Sequence, residues 1–211
     1  MSRSTAETST RVRLLHAATA VFASKGYHAA SVDDIVAASE TSKGAFYHYF
    51  ASKQEIFVTV VDALGELVER GVEASIAEER GALAKVEAAL RVVLETADAQ
   101  RGLVKILLVE AVGLGPGFER KRLDIHRRFA ALIQRHLDRA VDEGSIPKQD
   151  TALAAQAWLG VLNEVTTQWL AAGRGRLADR LPPLRAFLLR SIGAADQAPG
   201  RTPGRARRAA T

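Results

Sequence analysis

Cysteine is absent from the 211-residue sequence, which excludes a disulfide framework, a thiolate nucleophile and a cysteine-ligated metal site. Long apolar runs are absent as well, since no stretch approaches the ~18 consecutive apolar residues of a membrane-spanning helix. The first ten residues, MSRSTAETST, lack the apolar core of a secretory signal peptide. We therefore expect a cytoplasmic protein with no membrane partner.

Strand-like alternation and catalytic motifs are also missing. No segment alternates apolar and polar residues over the length of a strand, whereas apolar residues recur at helical spacing along most of the chain. An all-α fold is therefore predicted. The five histidines lack the spacing of a metal site, and no serine lies in a nucleophile motif. We expect no cofactor, no metal and no enzymatic activity; a helical enzyme or scaffold is the weakest alternative.

Positive charge is only in slight excess, with a net charge of +5. The last sixteen residues contain four arginines and one aspartate, a net of +3. Residues 1–53 contain six basic and four acidic side chains, a net of +2. Such a small excess is weak support for a nucleic-acid partner, so that inference has to rest on a motif.

Residues 31–53, SVDDIVAASETSKGAFYHYFASK, contain the most specific pattern. Ser31 and Asp34 have the spacing of a capping box at the start of a short helix, and the sequence SKQE opens a longer helix at Lys53 in the same way. A second short helix is predicted over about 42–49, after a polar turn. The pattern therefore predicts two short helices joined by a tight turn and followed by a long helix.

The second short helix has one apolar side. Phe46 and Phe50 are four residues apart, so both should point into the core. The opposite side carries Lys43, Gly44, Tyr47 and His48. A short helix anchored from behind suits the major groove of DNA, with neighbouring helix ends on the backbone. The alternative is an ordinary helical corner with a solvated face, which the run Tyr-His-Tyr disfavours because these residues solubilise poorly.

Four segments of this region match a known pattern together: FASKGY at 22–27, SVDDI at 31–35, SKGAFYHYF at 42–50 and SK at 52–53. On these residues the chain resembles the tetracycline-repressor (TetR) family of bacterial transcriptional regulators, over about residues 10–60. The resemblance implies an N-terminal three-helix helix-turn-helix domain, a C-terminal helical ligand-binding and dimerisation domain, and about nine helices. It also implies a repressor that binds a palindromic double-stranded DNA operator as a homodimer and is released by a small-molecule effector.

The family pattern also implies which residues contact DNA. Transferred by position, they are Ser31, Thr41, Ser42, Lys43, Gly44, Tyr47, His48, Tyr49 and Lys53. The resemblance assigns phosphate contacts to Ser31, Tyr47, His48, Tyr49 and Lys53. Glu40 departs from the pattern, because glycine is usual there. We expect Glu40 to adopt a left-handed conformation, which costs a non-glycine residue about 1 kcal/mol.

Composition and the resemblance together divide the chain into four segments. They are a flexible arm (1–9), the helix-turn-helix domain (10–53), the ligand-binding and dimerisation domain (54–193), and a disordered basic tail (194–211) rich in Pro, Gly, Arg and Ala. The long helix that starts at Lys53 begins in one domain and continues into the next. We therefore expect this helix to carry motion between the two domains.

The segment 101–132 resembles the effector domain of fatty-acid-metabolism regulators in the same family, which implies a long-chain acyl-CoA as the effector. A multidrug sensor that regulates an efflux pump is the alternative, although aromatic residues are only 6% of the chain. Glu110 interrupts an apolar helix, so its carboxylate either faces the ligand or pairs with an arginine such as Arg127 or Arg128. The basic sequence ERKRLDIHRR that follows is either solvated surface or a contact for an anionic ligand. The predicted pocket residues are Leu107, Glu110, Ala111, Leu114, Phe118, Arg127 and Asn163.

Two late helices, over about 151–172 and 182–192, have broad apolar faces. In this family the last two helices form a four-helix interface with a second copy of the chain. The breadth of the faces favours that assignment over an intramolecular core. The predicted interface residues are Trp158, Leu162, Val165, Trp169, Leu184, Phe187 and Leu188.

Overall fold

A computed structural model describes residues 2–110 and 115–194, and all regular structure in those two ranges is helical. The α-helices are α1 (Ser2–Ala29), α2 (Val32–Ala38), α3 (Lys43–Tyr49), α4 (Lys53–Ala77), α5 (Ala82–Ala99), α6 (Arg101–Lys105), α7 (Pro116–Asp142), α8 (Thr151–Ala172) and α9 (Leu181–Ser191). A π-helical turn, Ile106–Glu110, continues α6, and a 3₁₀ turn, Leu177–Arg180, precedes α9. Within the described ranges, no helix is long and apolar enough to cross a bilayer. The predicted all-α fold is confirmed.

The helices α1 to α4 pack around one apolar core, which we call the N-terminal core. Phe22, Ile35, Phe46 and Phe57 are 0% exposed there. Burial of each such side chain contributes about 1.5–3 kcal/mol. This burial is what holds α2 and α3, since isolated helices of seven residues are not stable in water.

Side-chain caps fix where α2 and α4 begin. The hydroxyl of Ser31 accepts a hydrogen bond from the Asp34 backbone N–H (3.1 Å), and the Asp34 carboxylate accepts one from the Ser31 N–H (3.0 Å). This capping box was predicted and is confirmed. At α4, Ser52 accepts from the Glu55 N–H (3.1 Å), but the Glu55 carboxylate accepts from Ala51, one residue earlier than in the standard box.

The start of α1 differs from the prediction of a flexible arm over residues 1–9. The helix begins at Ser2 and includes residues 2–9. Neither glycine nor proline occurs between Ser2 and Lys25, so nothing in the sequence stops the helix from extending toward the N-terminus. Near its other end, Gly26 has φ 78° and ψ 169°, which turns the chain so that Tyr27 stacks on Phe22 at 5.9 Å. Met1 and residues 195–211, which include almost all of the predicted basic tail, lie outside the described residues.

The N-terminal core continues into the C-terminal half without a linker. Ile106 of the π-helical turn and Phe118 of α7 are buried in the same core, and Phe118 stacks on Phe57 with 5.7 Å between ring centroids. Gly102 of α6 lies so close to α1 that a Cβ there would be 2.3 Å from the carbonyl oxygen of Ala23. The boundary predicted directly after the helix-turn-helix therefore runs through one shared core.

The helices α8 and α9 form a second core with α5 and α7. Most residues predicted for a dimer interface are buried in this core within a single chain. These buried residues are Trp158, Leu162, Trp169, Leu184 and Leu188. Their contacts lie within one chain, because helical spacing identifies an apolar face but does not show which element covers it; their part in a dimer interface stays a prediction. Of the other two, Val165 is half-buried against the same core and Phe187 is 51% exposed.

Candidate nucleic-acid interface and ligand cavity

The turn between α2 and α3 is held by hydrogen bonds from side chains. Arg13 of α1 donates to the carbonyl oxygens of Ser39 (2.6 Å) and Glu40 (2.8 Å). The hydroxyls of Ser39 and Thr41 lie 2.8 Å apart. Glu40 has φ 51°, so the predicted left-handed conformation is confirmed. Thr41 is half-buried and its hydroxyl is used within the turn, so it positions α3 more than it faces outward.

One face of α3 is locked into the N-terminal core, and this leaves the other face to solvent. Phe46 is 0% and Phe50 2% exposed. The Ser42 hydroxyl caps the helix by accepting from the Ala45 N–H at 3.1 Å. The exposed residues of the opposite face are Lys43, Gly44, Tyr47 and His48. Gly44 is exposed and has no Cβ, so a ligand backbone can approach this face closely.

The three aromatic rings that end α3 differ in exposure. Tyr47 is 56% exposed. Tyr49 is half-buried and packs against the N-terminal core, with the His48 ring edge-on to it at 4.8 Å. Tyr47 and His48 can therefore present their polar atoms to a phosphate, whereas Tyr49 also packs against the core and stays a predicted contact.

Two lysines of the helix-turn-helix domain, one of them on this face, already have carboxylate partners. Lys43 Nζ is 2.7 Å from the Asp33 carboxylate, and this hydrogen bond raises the pKa of the Lys43 ammonium. Lys25 Nζ is 2.8 Å from the Asp34 carboxylate; that hydrogen bond, followed by those from Ser31, lowers the pKa of Asp34 to about 2. Exposed pairs of this kind stabilise a fold little and open readily. Lys43 can therefore exchange Asp33 for a DNA phosphate.

Lys53, predicted to contact a phosphate, is bound within the chain in this structure. Its ammonium donates to the backbone oxygens of Tyr27 (2.9 Å) and Ala30 (2.8 Å), with that of His28 at 3.5 Å. It also lies 4.5 Å from the centre of the Tyr27 ring. These oxygens end α1 and would otherwise lack partners in the chain. Because an ammonium has three N–H donors, Lys53 has none left for a phosphate in this geometry.

The second candidate site is a cavity of about 300 Å³ lined mainly by α4, α5, α7 and α8. Most lining side chains are apolar, among them Val61, Leu64, Val68, Val93, Phe129 and Leu162. Lining residues recur along α7 at intervals of three and four, which is one helical face. They run from Arg122 to Glu143, about 30 Å along the helix at 1.5 Å per residue. A long, mostly apolar cavity suits an extended hydrocarbon chain.

Polar side chains interrupt this lining near both ends of α7. Toward its start lie Arg122, His126, Asn163 and Thr166, and toward its end lie Lys85, His136, Arg139 and Glu143. The placement of the α8 residues follows from the antiparallel packing of α8 on α7. The hydroxyl of Thr151, which opens α8, donates to the carboxylate of Asp138 near the end of α7. The later residues of α8 therefore lie toward the start of α7.

Both histidines in the cavity wall are shifted toward the neutral form. Burial, followed by the charge of Arg122, lowers the pKa of His126. Burial, followed by the charges of Arg139, Arg135 and Lys85, lowers the pKa of His136, while Glu73 acts weakly in the opposite direction. With both pKa values below the ordinary 6.5, both imidazoles are neutral at pH 7.

The predicted pocket residues fall into three groups. Leu107 and Asn163 line the cavity. Phe118 and Arg127 do not, so the prediction was wrong for both. Phe118 lies in the N-terminal core, and Arg127 pairs with Asp124 on an exposed side of α7. Residue type did not show which face of α7 meets the cavity, because packing against α4 sets that register. Ala111, Leu114 and the side chain of Glu110 lie outside the described part of the chain.

The basic start of α7 mostly forms a contact between helices. Lys121 pairs with Asp62 at 2.7 Å, and Arg128 bridges Asp62 (2.9 Å) and Glu69 (2.7 Å) of α4. Arg128 thus has partners other than Glu110. Several polar lining residues were missed from sequence, among them Lys85, His136 and Arg139. The sequence did contain a signal for His136, because it lies three residues after Ile133 and so continues the apolar face of α7.

Comparisons with known proteins agree with this architecture. Residues 14–60 match the family model "Bacterial regulatory proteins, tetR family", and residues 79–179 match the model "Tetracyclin repressor-like, C-terminal domain". The HTH-type transcriptional repressor DhaR of Mycobacterium sp. (strain GP1) is 27% identical over 142 residues, which are 67% of this chain and 72% of DhaR. The fatty acid metabolism regulator protein of Bacillus subtilis (strain 168) is 24% identical over 161 residues, 75% of this chain and 82% of that protein.

A solved structure has the same fold. The transcriptional regulator FadR of Bacillus subtilis, in complex with stearoyl-CoA, superposes with a TM-score of 0.77 at 22% identity, over 86% of this chain and 98% of that one. The two family models together span the helix-turn-helix and most of the helices around the cavity. The chain therefore belongs to the TetR family of bacterial regulatory proteins, whose members are DNA-binding transcription factors and not enzymes.

Proposed function

We propose that this chain is a cytoplasmic repressor that binds a palindromic operator as a homodimer and leaves it when a small molecule fills the cavity. The single observation that carries the DNA-binding part is the orientation of α3. Phe46 and Phe50 hold the helix from the core side, so Lys43, Tyr47 and His48 face outward. In a dimer, two such helices would enter successive major grooves about one helical turn apart, or a multiple of that distance.

Duplex DNA carrying the region upstream of the protein's own gene tests this part. The full chain should bind one discrete palindromic site, with an affinity that falls steeply as salt is raised. Tyr47→Ala should weaken binding about tenfold, because one phosphate hydrogen bond is lost in each of two subunits. Leu123→Ala, an exposed substitution on α7, is the matched control. Equal operator affinity of the Tyr47 variant and the control would contradict the assignment of α3.

The proposed dimer uses the outer faces of α8 and α9. Leu153 is 63% and Phe187 51% exposed, although both are large and apolar. Ala157 and Gly160 follow Leu153 on the same side of α8, and no atom lies within 4 Å of a Cβ built on Gly160. Small residues of this kind allow a second helix to approach closely. Sedimentation should show a dimer that Phe187→Arg dissociates, and a wild-type chain that sediments as a monomer would refute this part.

The proposed effector is a long-chain acyl compound, with acyl-CoA as the first candidate. The shape and apolar lining of the cavity support it, and so do the similar fatty acid metabolism regulator protein and the FadR structure in complex with stearoyl-CoA. Trp158 lines the cavity and the other tryptophan, Trp169, does not, so Trp169→Phe leaves one fluorescent reporter at the site. Palmitoyl-CoA should change the fluorescence of Trp158 and release the operator. Failure on both counts, with release by a cationic drug instead, would contradict the proposal.

The second candidate, a multidrug sensor for cationic drugs, fits the lining less well. Such a cavity needs aromatic rings and carboxylates to hold a cation. Among the described lining residues, Glu143 is the one carboxylate, against the three cations Lys85, Arg122 and Arg139. This charge balance favours an anionic ligand.

The route from the cavity to α3 runs through α4, α6 and α7. One face of α7 lines the cavity, while Arg128 and Lys121 on another face are paired with α4. Leu107 of the π-helical turn lines the cavity, and its neighbour Ile106 is buried in the N-terminal core. A ligand that separates these walls would therefore shift the elements on which the helix-turn-helix rests. Its effect on DNA binding is limited by its difference in affinity for the two arrangements.

A further inference from the structure

The cavity is polar at both ends, and the two ends differ in charge. Near the start of α7, the guanidinium of Arg122 makes two hydrogen bonds, of 3.1 and 2.9 Å, to the Glu119 carboxylate. His126 beside it is neutral at pH 7 for the reasons given above. The remaining polar groups at that end, Asn163 and Thr166, carry no charge. This end can therefore offer hydrogen bonds but has no uncompensated cation.

The end formed by the last turns of α7 is different. Lys85 of α5 and Arg139 of α7 both line the cavity, and neither has an ion pair or a side-chain hydrogen bond within the described ranges. By contrast, Lys121, Arg128 and Arg135 of α7 all have carboxylate partners. Two cations face one carboxylate here, that of Glu143, which also lacks an ion-pair partner in the described part of the chain. A net positive charge remains at this end.

The pKa of His136, which burial lowers most, also responds to the charges at this end. The charges of Arg139, Arg135 and Lys85 all act to lower the pKa of His136, so the three cations are close enough to affect one imidazole. An anion bound there would be attracted by Lys85 and Arg139, which have no carboxylate partner within the described ranges. It would also gain charge-assisted hydrogen bonds from the lysine and the arginine.

We propose that Lys85 and Arg139 form the subsite for the anionic head of the ligand, and that its hydrocarbon chain extends along α7 toward Arg122. This inference rests on the proposed function, since it takes the cavity to be the effector site. The shared chemistry of the head is a negatively charged oxygen group, either the carboxylate of a free fatty acid or a phosphate of an acyl-CoA. Asn163 and Thr166 then lie beside the far end of the chain, away from the charge.

Three probes with the same hydrocarbon length test the subsite: palmitate, palmitoyl-CoA and 1-hexadecanol. Each is titrated against the full chain and followed by the fluorescence of Trp158, with Trp169→Phe present in every protein compared, wild type included. The variant is Lys85→Gln with Arg139→Gln. Its matched control, Arg91→Gln with Arg127→Gln, removes one cation from each of the same two helices at exposed positions outside the cavity. A third protein, Arg122→Gln, tests the opposite end.

Wild type should bind at least one of the two anionic probes more tightly than hexadecanol, and the probe preferred identifies the source of the anion. In the Lys85/Arg139 variant, affinity for that probe should fall about tenfold, since each partly exposed cation contributes up to about 1 kcal/mol. Affinity for hexadecanol should stay within about twofold, and the control should bind all three probes as wild type does. These results would support the subsite.

Three results would overturn it: equal losses for the anionic probe and hexadecanol, an unchanged preference for the anion, or a loss of that preference in Arg122→Gln instead. If the Lys85/Arg139 variant binds hexadecanol and the anionic probe with the affinities of wild type, the subsite is refuted but the proposed effector class is not. Failure of every probe to perturb Trp158 or to release DNA would refute the proposed effector class and the subsite together.

Discussion

Replacement of Lys53 by methionine separates a structural lysine from one that binds DNA. Lys53→Met keeps most of the apolar stem and removes the ammonium, which donates to Tyr27 and Ala30 at 2.9 and 2.8 Å and stands over the Tyr27 ring. Hydrogen bonds to charged groups contribute about 1.5–3 kcal/mol, and a cation over an aromatic ring at least about 0.5 kcal/mol. Lys53 is half-buried, and water can reach some of the freed carbonyl oxygens. We therefore expect a loss of about 2 kcal/mol in the free energy of unfolding.

Such a loss is measurable by thermal melting at fixed protein concentration. For a protein of 150–250 residues, about 2 kcal/mol corresponds to a decrease of roughly 4–8 °C in Tm. Concentration has to be fixed, because the melting temperature of a dimer depends on it. Lys43→Met is the control, since Lys43 is in an exposed pair with Asp33 and should change Tm little.

The salt dependence of DNA binding should change in the Lys43 variant and not in the Lys53 variant. A lysine that neutralises a phosphate adds about one to the slope of log affinity against log salt concentration, for each subunit on the operator. We expect Lys43→Met to lower the slope by about that amount and Lys53→Met to leave it unchanged at temperatures where the variant is folded. A Lys53→Met protein that melts like wild type but has the lower slope would refute our account of this residue.

Three further substitutions test other parts of the fold. Gly102→Ala should cost about 1–3 kcal/mol of unfolding free energy, because its Cβ would lie 2.3 Å from the backbone oxygen of Ala23; Gly117→Ala, with no atom closer than 4.0 Å, should cost nothing in the same urea titration. Glu40→Gly should raise Tm by relieving about 1 kcal/mol of left-handed strain, and Glu40→Ala, which keeps the strain, should not. Asp34 has its pKa lowered from 3.8 to about 2 by its lysine and capping hydrogen bonds, so its contribution is complete above pH 3.8 and is lost as the pH falls through 2. The difference in stability between wild type and Asp34→Asn should therefore shrink over that pH range, and a difference that grows on acidification would contradict the assignment.

The helix-turn-helix was the part of the fold most open to prediction, because its determinants are local. Ser31 with Asp34, and Phe46 with Phe50, act within one or two turns of helix, so residue type and spacing specify both the cap and the buried face. The left-handed conformation of Glu40 was predicted from the family resemblance, because glycine is usual at that position of the turn. Side chains that bridge distant segments were not predicted. Lys53 bonds to residues more than twenty positions earlier in the sequence, and no local pattern indicates such a contact.

In the C-terminal half, sequence predicted helices and apolar faces but not which faces meet. The aromatic stripe of α8 was assigned to a second copy of the chain, yet it packs on α7 and α9 of the same chain. Trp158 illustrates why: its indole N–H donates to the Ser191 hydroxyl of α9 at 3.0 Å, a contact across 33 positions. For the cavity, Leu107 and Asn163 were placed at the lining, but Lys85, His136 and Arg139 were missed, because their significance depends on how α5 packs beside α7.

Two faces of α7 make different contacts, and this links the cavity to α4. One face forms the cavity wall along its length, and another is tied to α4 by Lys121, Arg128 and Arg135. Because a packed interior deforms little, a ligand that moves one face of a rigid helix must move the other. The paired residues of α4 begin at Asp62, which directly follows Val61 of the N-terminal core. A small displacement of α7 would therefore shift α4 next to the helix-turn-helix domain. The resulting change in the conformational equilibrium cannot exceed the difference in binding free energy of the ligand between the two states.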